Sequence, residues 1–278
     1  EDYPAAKSGI RIGDRILRID SVKVIDKPTS ELRQYTRGKE GSRLDIFILR
    51  DGLADTLRFE VTRARIQLDN IPYSGIIDDS IAYIRLDRFS KGSAEDIRSA
   101  IYELRRKTDL KGLILDLRGN PGGIMESAIG TCEIFIEEGN EIVSTKGRNE
   151  SRNRTYKSVT KPVEPDIPLV VLIDRGSASA SEIVAGAIQD LDRGIILGEN
   201  SVGKGLVQTV FNLPYKTNLK VTTAKYYTPS GRSIQKIDYS PEHKDSAVQD
   251  THFFYTKIGR LVPELDGIQP DTIVHYKD

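Results

Sequence analysis

From residue 67 onward, apolar segments of strand length alternate with helical periodicity, and this alternation restricts the possible folds more than any other feature. Leu113–Leu117 and Leu169–Ile173 are strand candidates of the buried type. Ser93, with Asp96 in the same turn, has the pattern of a capping box and predicts the start of a helix, and residues 181–191 predict another. Buried strands that alternate with helices are typical of an α/β core whose sheet is largely parallel.

Residues 1–66 have a different pattern and predict a small mixed domain of their own. Arg43–Arg50 and Thr56–Thr62 are strand candidates, and they are joined through Asp51-Gly52, a strong hairpin turn signal. We therefore divide the chain into a small domain at 1–66 and a larger domain at 67–278.

Composition narrows the classes of function. The chain has 278 residues and a formal charge of +0, from 41 basic and 41 acidic side chains, which argues against a broad surface for nucleic acid. No apolar run approaches the roughly 20 residues that a membrane-spanning helix needs. Cys132 is the only cysteine, so an internal disulfide and a cysteine zinc site are excluded, and its apolar neighbours predict a small buried residue. The three histidines are not spaced like a metal pair, so we predict neither a metal nor a cofactor.

Two segments concentrate glycine or small polar residues at the ends of predicted strands, where open α/β sheets place their sites. Residues 118–123 contain three glycines, whose backbone N–H groups could line an oxyanion site, although a tight turn accounts for them equally well. Residues 176–182 place Ser177, Ser179 and Ser181 at a strand-to-helix junction. Any of these hydroxyls could cap the helix, and one could be a nucleophile on a sharp turn.

A serine nucleophile needs a base, and the sequence offers a lysine rather than a histidine. Lys204 lies between Gly203 and Gly205, after the next predicted strand. A lysine can act as a base only where an apolar pocket lowers the pKa of its amine by several units. We therefore expect Lys204 in a closed, dry site, with no carboxylate against its amine and with a neutral side chain such as Gln208 to orient it.

Residues 198–204 also fit the start of a phosphate-binding loop, which would indicate a nucleotide hydrolase. That motif requires Ser or Thr at the next position to hold magnesium, and here Gly205 follows. A helix should begin at the same place, whereas residues 206–211 predict a strand. We therefore reject a nucleotide partner.

The order of several motifs resembles that of the C-terminal processing (tail-specific) proteases. These motifs are Gly119–Gly123, Ser177–Glu182, Gly198-Glu199, Gly203–Gly205, Tyr226–Gln235 and Gly267–Asp271. Each motif alone is weak, but the combination is highly specific and spans nearly all of residues 67–278.

The resemblance implies a role for several residues. Ser179 would be the nucleophile, Lys204 the general base and Gln208 the residue that orients the base. The oxyanion hole would consist of the backbone N–H of Ala180 together with that of either Gly122 or Gly123.

The resemblance also extends to the fold and to the smaller domain. It implies a crotonase-like (ClpP/crotonase-type) α/β protease core, whose usual setting is the periplasm or cell envelope. Pro4–Ile16 looks like the middle of the PDZ domain that these proteases carry, so we expect a partial PDZ domain that is truncated at its N-terminus. Residues 236–265 resemble an insertion found in Bacteroidetes members, and we assign them no role.

The sequence therefore predicts a serine endopeptidase that works through an acyl-enzyme without metal or cofactor. Its expected substrates are proteins or peptides with unstructured, apolar C-termini, and it could assemble as a homo-oligomer or with an adaptor. The lysine could be held away from the serine until a tail binds. The alternative is a non-catalytic peptide-binding scaffold on the same fold, which is disfavoured because Ser179, Lys204 and Gln208 are all present.

Overall fold

Two units make up the chain in the computed structural model, which describes residues 3–66, 69–236, 252–264 and 266–274. One unit covers Glu1–Leu68 and the other covers Asp69–Asp278. Among the described residues, the buried apolar side chains form one cluster within residues 19–61 and another within residues 82–268. Among the residues described, no helix has both the length and the hydropathy that would carry it across a bilayer.

The smaller unit is a four-stranded antiparallel sheet with two short helices. Its elements are α1 (Pro4–Lys7), β1 (Arg15–Ile19), β2 (Val22–Lys23), α2 (Thr29–Thr36), β3 (Arg43–Leu49) and β4 (Leu57–Thr62). The strands lie in the order β2-β1-β3-β4. β3 and β4 are antiparallel neighbours, which confirms the predicted hairpin. Alternate residues of β3, namely Leu44, Ile46 and Ile48, are buried, as expected where one face of a sheet covers a core.

The larger unit is built around a six-stranded sheet. The strands of the whole unit are β5 (Tyr73–Ile77), β6 (Ile81–Arg85), β7 (Gly112–Asp116), β8 (Glu141–Lys146), β9 (Arg154–Lys157), β10 (Leu169–Ile173), β11 (Ile195–Gly198), β12 (Leu206–Leu213), β13 (Thr217–Tyr227), β14 (Phe253–Tyr255), β15 (Leu261–Pro263) and β16 (Thr272–Ile273). The six-stranded sheet has the order β16-β11-β10-β7-β6-β5. Every neighbouring pair in it is parallel except β5 and β6. The prediction of an α/β core with a largely parallel sheet is confirmed.

Three helices contribute to the same core as this sheet, and they are α3 (Ser93–Arg105), α4 (Met125–Cys132) and α5 (Ala180–Asp190). All residues of α5 are buried, so this helix lies inside the unit rather than on its surface. Cys132 is fully buried on α4, where burial raises the pKa of its thiol. The prediction that Cys132 is a small buried residue is confirmed.

The capping box predicted at Ser93 is wrong. The N-cap of α3 is Gly92, at φ +92, and Ser93 is buried in the first turn. The hydroxyl of Ser93 donates to the carbonyl oxygen of Ser90 at 2.9 Å. A buried hydroxyl needs a partner of its own, and the turn before the helix supplies it.

A second sheet in the larger unit is antiparallel and has the order β12-β13-β8-β9. β12 and β13 pair along the whole of β12, from Leu206 opposite Lys225 to Leu213 opposite Thr217. β13 reaches β8 only through its last residues, Lys225–Tyr227. In the described part of the chain, the outer part of the β12–β13 hairpin therefore has no third strand beside it.

β14 and β15 form a small hairpin within residues 236–265, the segment that resembles an insertion. Residues 237–251 and 265 of that segment lie outside the described residues. The hairpin is attached to the C-terminal end of α5, since the amide of Lys257 donates to the carbonyl oxygen of Asp190 at 2.7 Å.

Candidate active site

The turn between β10 and α5 places Ser179 at the start of α5. Ser179 is the N-cap residue of the helix and has φ 56 and ψ −110. Positive φ is unfavourable for a residue with a side chain, and such strain is concentrated at functional turns. The turn also lies at the carboxyl ends of the parallel strands, where α/β sheets hold their sites. This geometry is typical of a nucleophile elbow, in which a serine is presented on a sharp strand-to-helix turn.

The three serines of residues 176–182 differ in their surroundings. Ser177 is fully buried and donates to the carbonyl oxygen of Leu117 at 2.8 Å. Ser181 is also fully buried and donates to the carbonyl oxygen of Asn120 at 2.9 Å. Ser179 is half-buried, and its hydroxyl donates no hydrogen bond to any residue in the described ranges. Of the three, Ser179 therefore has the hydroxyl that is available to a ligand.

The glycine-rich turn after β7 lies directly against Ser179. A Cβ atom on Gly122 would be 2.9 Å from the Cβ of Ser179 and 2.8 Å from the backbone nitrogen of Ala180. Gly122 also has φ +93, which favours glycine. The close approach explains why a glycine is needed here, and it brings the two segments singled out in the sequence together.

Two backbone N–H groups at this junction, those of Ala180 and Gly123, have no acceptor among the described residues. Ala180 is the first residue of α5, so its N–H has no partner within the helix. The N–H of Gly122, in contrast, donates to Asn120 Oδ1 at 2.9 Å. Gly123 is therefore the better of the two glycine candidates for an oxyanion hole shared with Ala180, and this assignment stays a prediction.

Glu182 joins the nucleophile turn to the loop that carries Lys204. Its carboxylate is fully buried and accepts four hydrogen bonds. Oε1 accepts from Ser201 Oγ at 2.5 Å and from the Gly203 amide at 2.6 Å. Oε2 accepts from the Ser179 amide at 2.7 Å and from the Lys204 amide at 2.9 Å. One oxygen atom thus holds the main chains of Ser179 and Lys204 side by side.

The charge state of Glu182 reflects two opposing effects. Burial raises the pKa of Glu182, because a carboxylate loses its hydration in the interior. The hydrogen bonds from Ser201, Lys204, Gly203 and Ser179 oppose this shift by stabilising the ionised form. All four partners are donors, which matches a group that can only accept.

The side chain of Lys204 is exposed, so the expectation of a closed, dry pocket around it is wrong for this structure. The glycines on either side of it explain this placement. A Cβ on Gly203 would lie 2.5 Å from the Cβ of Lys236, and one on Gly205 would lie 2.9 Å from the backbone nitrogen of Gln235. Because both glycines occupy the buried side of the chain, the lysine between them is left on the solvent side.

Gln208 lies on β12 and is exposed as well. Among the described residues, no hydrogen bond links the side chains of Ser179, Lys204 and Gln208 to one another. The structure therefore brings the main chains of Ser179 and Lys204 together through Glu182, without joining their side chains. The roles of the three residues stay predictions.

Two residues of the site were given no role in the sequence analysis. Glu182 had a local signal, because a glutamate in the first turn after a serine N-cap is a capping-box pattern, and the structure has that box. Asn120 is fully buried, and its carbonyl oxygen accepts from the Ala178 amide and from Ser181 Oγ. The long-range hydrogen bonds of Glu182 and of Asn120 have no signal in the local sequence.

A family model described as peptidase family S41 matches residues 80–245, which is more than half of the chain. The chain belongs to peptidase family S41. A second family model, for the PDZ domain, matches residues 1–50 of the S41 chain. The smaller unit of the structure therefore contains a PDZ match, and the larger unit contains the peptidase match.

The curated relatives include carboxy-terminal processing proteases. The one from Bartonella bacilliformis is 40% identical over 245 residues, which cover 87% of this chain and 56% of the relative. CtpB of Bacillus subtilis is 34% identical over 240 residues, which cover 86% of this chain and 49% of the relative. The S41 chain spans about half the length of these relatives. The resemblance to the C-terminal processing protease family is confirmed.

A solved structure of a photosystem II D1 C-terminal processing protease is similar to the S41 chain along almost its whole length. The TM-score is 0.59 and the identity 26%, with 98% of this chain and 65% of that chain covered. The predicted fold class, a crotonase-like α/β peptidase core with a PDZ domain, is confirmed.

Proposed function

We propose that this S41 chain is a serine endopeptidase of the C-terminal processing type, with Ser179 as nucleophile and Lys204 as general base. The observation that carries the proposal is the carboxylate of Glu182. Its Oε2 atom accepts from the amides of both Ser179 and Lys204, so the main chains of the proposed nucleophile and the proposed base lie side by side.

The reaction would follow the course of acyl-enzyme catalysis. Ser179 Oγ attacks the carbonyl carbon of the scissile peptide bond, and its proton passes to the neutral amine of Lys204. The oxyanion of the tetrahedral intermediate faces the N–H groups of Ala180 and Gly123. Collapse of the intermediate breaks the C–N bond, and the leaving amine takes the proton from Lys204. Water then hydrolyses the ester on Ser179 with the same lysine as base.

The exposed position of Lys204 sets a condition on this course. The amine must turn toward Ser179 and lose contact with water before it can accept a proton. A substrate segment that covers the site would exclude water and favour that position, as in enzymes whose sites are completed by closure. The described geometry would then be a resting state in which the base is not engaged.

The substrates, setting and partners follow from the same proposal. We expect unstructured polypeptide tails with apolar C-termini as substrates, because an extended chain has free backbone groups that a PDZ domain can pair with. We also propose a periplasmic or cell-envelope setting, and a homo-oligomer or an adaptor as assembly partner.

The test is cleavage of an unstructured, apolar-tailed protein by the wild type, Ser179→Ala and Lys204→Ala, followed by mass spectrometry of the products. Each variant should lower kcat/KM by about a thousandfold or more while still unfolding in one cooperative transition, with at most the loss of about 0.5–2 kcal/mol that removal of a serine N-cap causes in Ser179→Ala. Lys157→Ala, an exposed lysine on β9, is the matched control and should cleave normally. Normal turnover by either site variant would refute the assignment.

A non-catalytic peptide-binding scaffold is the second candidate, and the exposure of Lys204 is the observation in its favour. That function requires peptide binding without turnover. If the wild type binds the tail and releases it intact over long incubation, the scaffold function replaces the peptidase function.

A further inference from the structure

The antiparallel sheet β12-β13-β8-β9 has two edge strands of opposite character. The β9 edge carries Arg154 and Lys157, both exposed. The β12 edge is eight residues long, from Leu206 to Leu213, and contains no charged residue and no proline. Exposed edge strands usually carry charges or prolines, because their unpaired N–H and C=O groups otherwise recruit another chain. The β12 edge lacks this protection, whereas the other edge of the same sheet has it.

The side chains of β12 are also unusually apolar for an exposed strand. Val210, Phe211 and Leu213 are 56%, 39% and 44% exposed. In the outer part of the hairpin, β13 covers one side of β12, and no described strand covers the other. A strand added at the open edge would pair with free backbone groups and cover part of this apolar surface.

The open edge is continuous with the candidate active site. β12 begins just after Lys204, and Gln208 is one of its residues. The Lys204 amide shares its acceptor with the Ser179 amide. A chain that lies along β12 therefore has one end beside the proposed nucleophile and base.

We propose that the open edge of β12 is a docking site for an extended, uncharged segment of the polypeptide substrate, which joins the sheet as an additional strand. The inference rests on the proposed peptidase function and adds a substrate-selecting surface to it. Backbone hydrogen bonds would bind any extended segment, and the apolar side chains around Val210 would select against charged ones. A second copy of the chain is the competing occupant of this edge.

Exchanging one residue of β12 with its partner on β13 tests whether the β12 edge binds the peptide, and it leaves the composition of the chain unchanged. Val210 lies directly opposite Lys220 on β13. The double variant Val210→Lys/Lys220→Val keeps the cross-strand pair and the net charge, but it moves the charge from β13 to the open edge of β12. Lys220→Val alone is the matched control, because it leaves the β12 edge uncharged.

Binding is measured in the Ser179→Ala background, so that the probe is not cleaved. The probe is a fluorescent, uncharged peptide that is longer than β12, rich in Ala, Val and Thr, and amidated at its C-terminus. The amide removes the terminal carboxylate that a PDZ domain recognises. Fluorescence anisotropy should show that the exchange weakens binding about tenfold or more, and that Lys220→Val binds like its parent.

Three results would overturn the inference. The peptide could fail to bind the Ser179→Ala protein, or it could bind all three proteins equally. The exchange could instead change the sedimentation coefficient of the protein without changing peptide affinity, which would assign the edge to a second copy of the chain.

If the double variant Val210→Lys/Lys220→Val does not fold, a measurement that needs no substitution in the edge still tests the inference. Hydrogen exchange of the Ser179→Ala protein should show added protection in β12 when the peptide is bound, and unchanged exchange in β12 would contradict docking there. Cleavage by the wild type is followed separately. Cleavage without β12 docking removes this inference alone, whereas docking without cleavage removes the proposed peptidase function.

Discussion

At the scale of single residues, Glu182 explains how two distant segments form one site. A buried carboxylate is costly unless its oxygens are saturated with donors. Glu182 meets this condition with two donors on each oxygen. Its position in the first turn of α5 also keeps a negative charge near the positive end of the helix dipole. The residue therefore stabilises the fold and sets the distance between Ser179 and the Lys204 loop.

Glu182→Gln should damage both stability and activity. A glutamine has one acceptor oxygen in place of two. Its NH₂ group would therefore face two of the four donors, and these two would lose the acceptor that Glu182 gives them. We expect the free energy of unfolding to fall by about 2–6 kcal/mol, from about 1–3 kcal/mol for each of the two buried donors left unpaired. Urea denaturation measures the change.

Glu103→Gln is the control for this substitution, because Glu103 is an exposed residue of α3. It should change the free energy of unfolding by no more than about 0.5 kcal/mol. If Glu182→Gln were as stable and as active as Glu103→Gln, the four hydrogen bonds would not hold the site together.

The residue scale also shows what local sequence can and cannot predict. The pattern of alternating Ser and Ala predicts the strand-to-helix turn that the structure has before α5. It could not separate Ser179 from Ser177 and Ser181, because the difference lies in contacts with the turn after β7. The exposure of Lys204 was missed for a similar reason, since it depends on the packing of its glycine neighbours against residues 234–236.

At the scale of elements, α5 is held at both ends by buried charged groups. Glu182 holds its first turn, and Asp190 at its last residue pairs with Arg232 at 2.9 Å. Both side chains of this pair are almost completely buried, at 0% and 1% exposure. Arg232 also donates to Gln189 at 2.7 Å and to the carbonyl oxygen of Pro263 on β15 at 3.1 Å. These contacts tie the helix that carries Ser179 to the segment after β13 and to the β14–β15 hairpin.

Asp190→Asn should be strongly destabilising, because it leaves the buried guanidinium of Arg232 without its counter-charge. We expect a loss of about 3–5 kcal/mol in the free energy of unfolding, as for other buried ion pairs that lose one partner. Thermal and urea denaturation of the purified variant measure it.

Asp266→Asn provides the comparison, since Asp266 pairs with Lys236 at 2.5 Å while both side chains are more than half exposed. Breaking that surface pair should cost less than about 1 kcal/mol. Equal losses in the two variants would show that burial of the Arg232–Asp190 pair does not matter for stability.

Elements with strong periodicity were predicted well, and the reason is physical. β7 and β10 are central strands in which every residue is buried or half-buried, so their apolar runs are unambiguous. The start of α3 was assigned to the wrong cap because a buried serine and a capping serine have the same local pattern. The pairing of β12 with β13 was not predicted, because it depends on which strands meet after a turn.

At the scale of the whole molecule, the described residues form two separate hydrophobic cores. One lies within residues 1–68 and the other within 69–278. Units with their own cores can fold independently. The larger unit contains Ser179, Lys204, Gln208 and Glu182, so the proposed chemistry needs no residue of the smaller unit.

The fragment 69–278 should therefore fold alone. We expect a cooperative unfolding transition whose midpoint lies within about 4 °C of that of the larger unit in the intact chain, since a loss of about 1 kcal/mol shifts a unit of this size by no more than that. Scanning calorimetry of both proteins measures it. A fragment without a cooperative transition would show that the larger unit depends on residues 1–68.

The central claim, that Ser179 is a nucleophile activated by Lys204, has one most direct measurement. The wild type is mixed with an activated ester of an apolar peptide, quenched in acid within seconds, and analysed by intact mass and peptide mapping. We predict a mass increase equal to the acyl group, located on Ser179, and no such increase in Lys204→Ala. Acylation at another residue, or equal acylation of Lys204→Ala, would contradict the account.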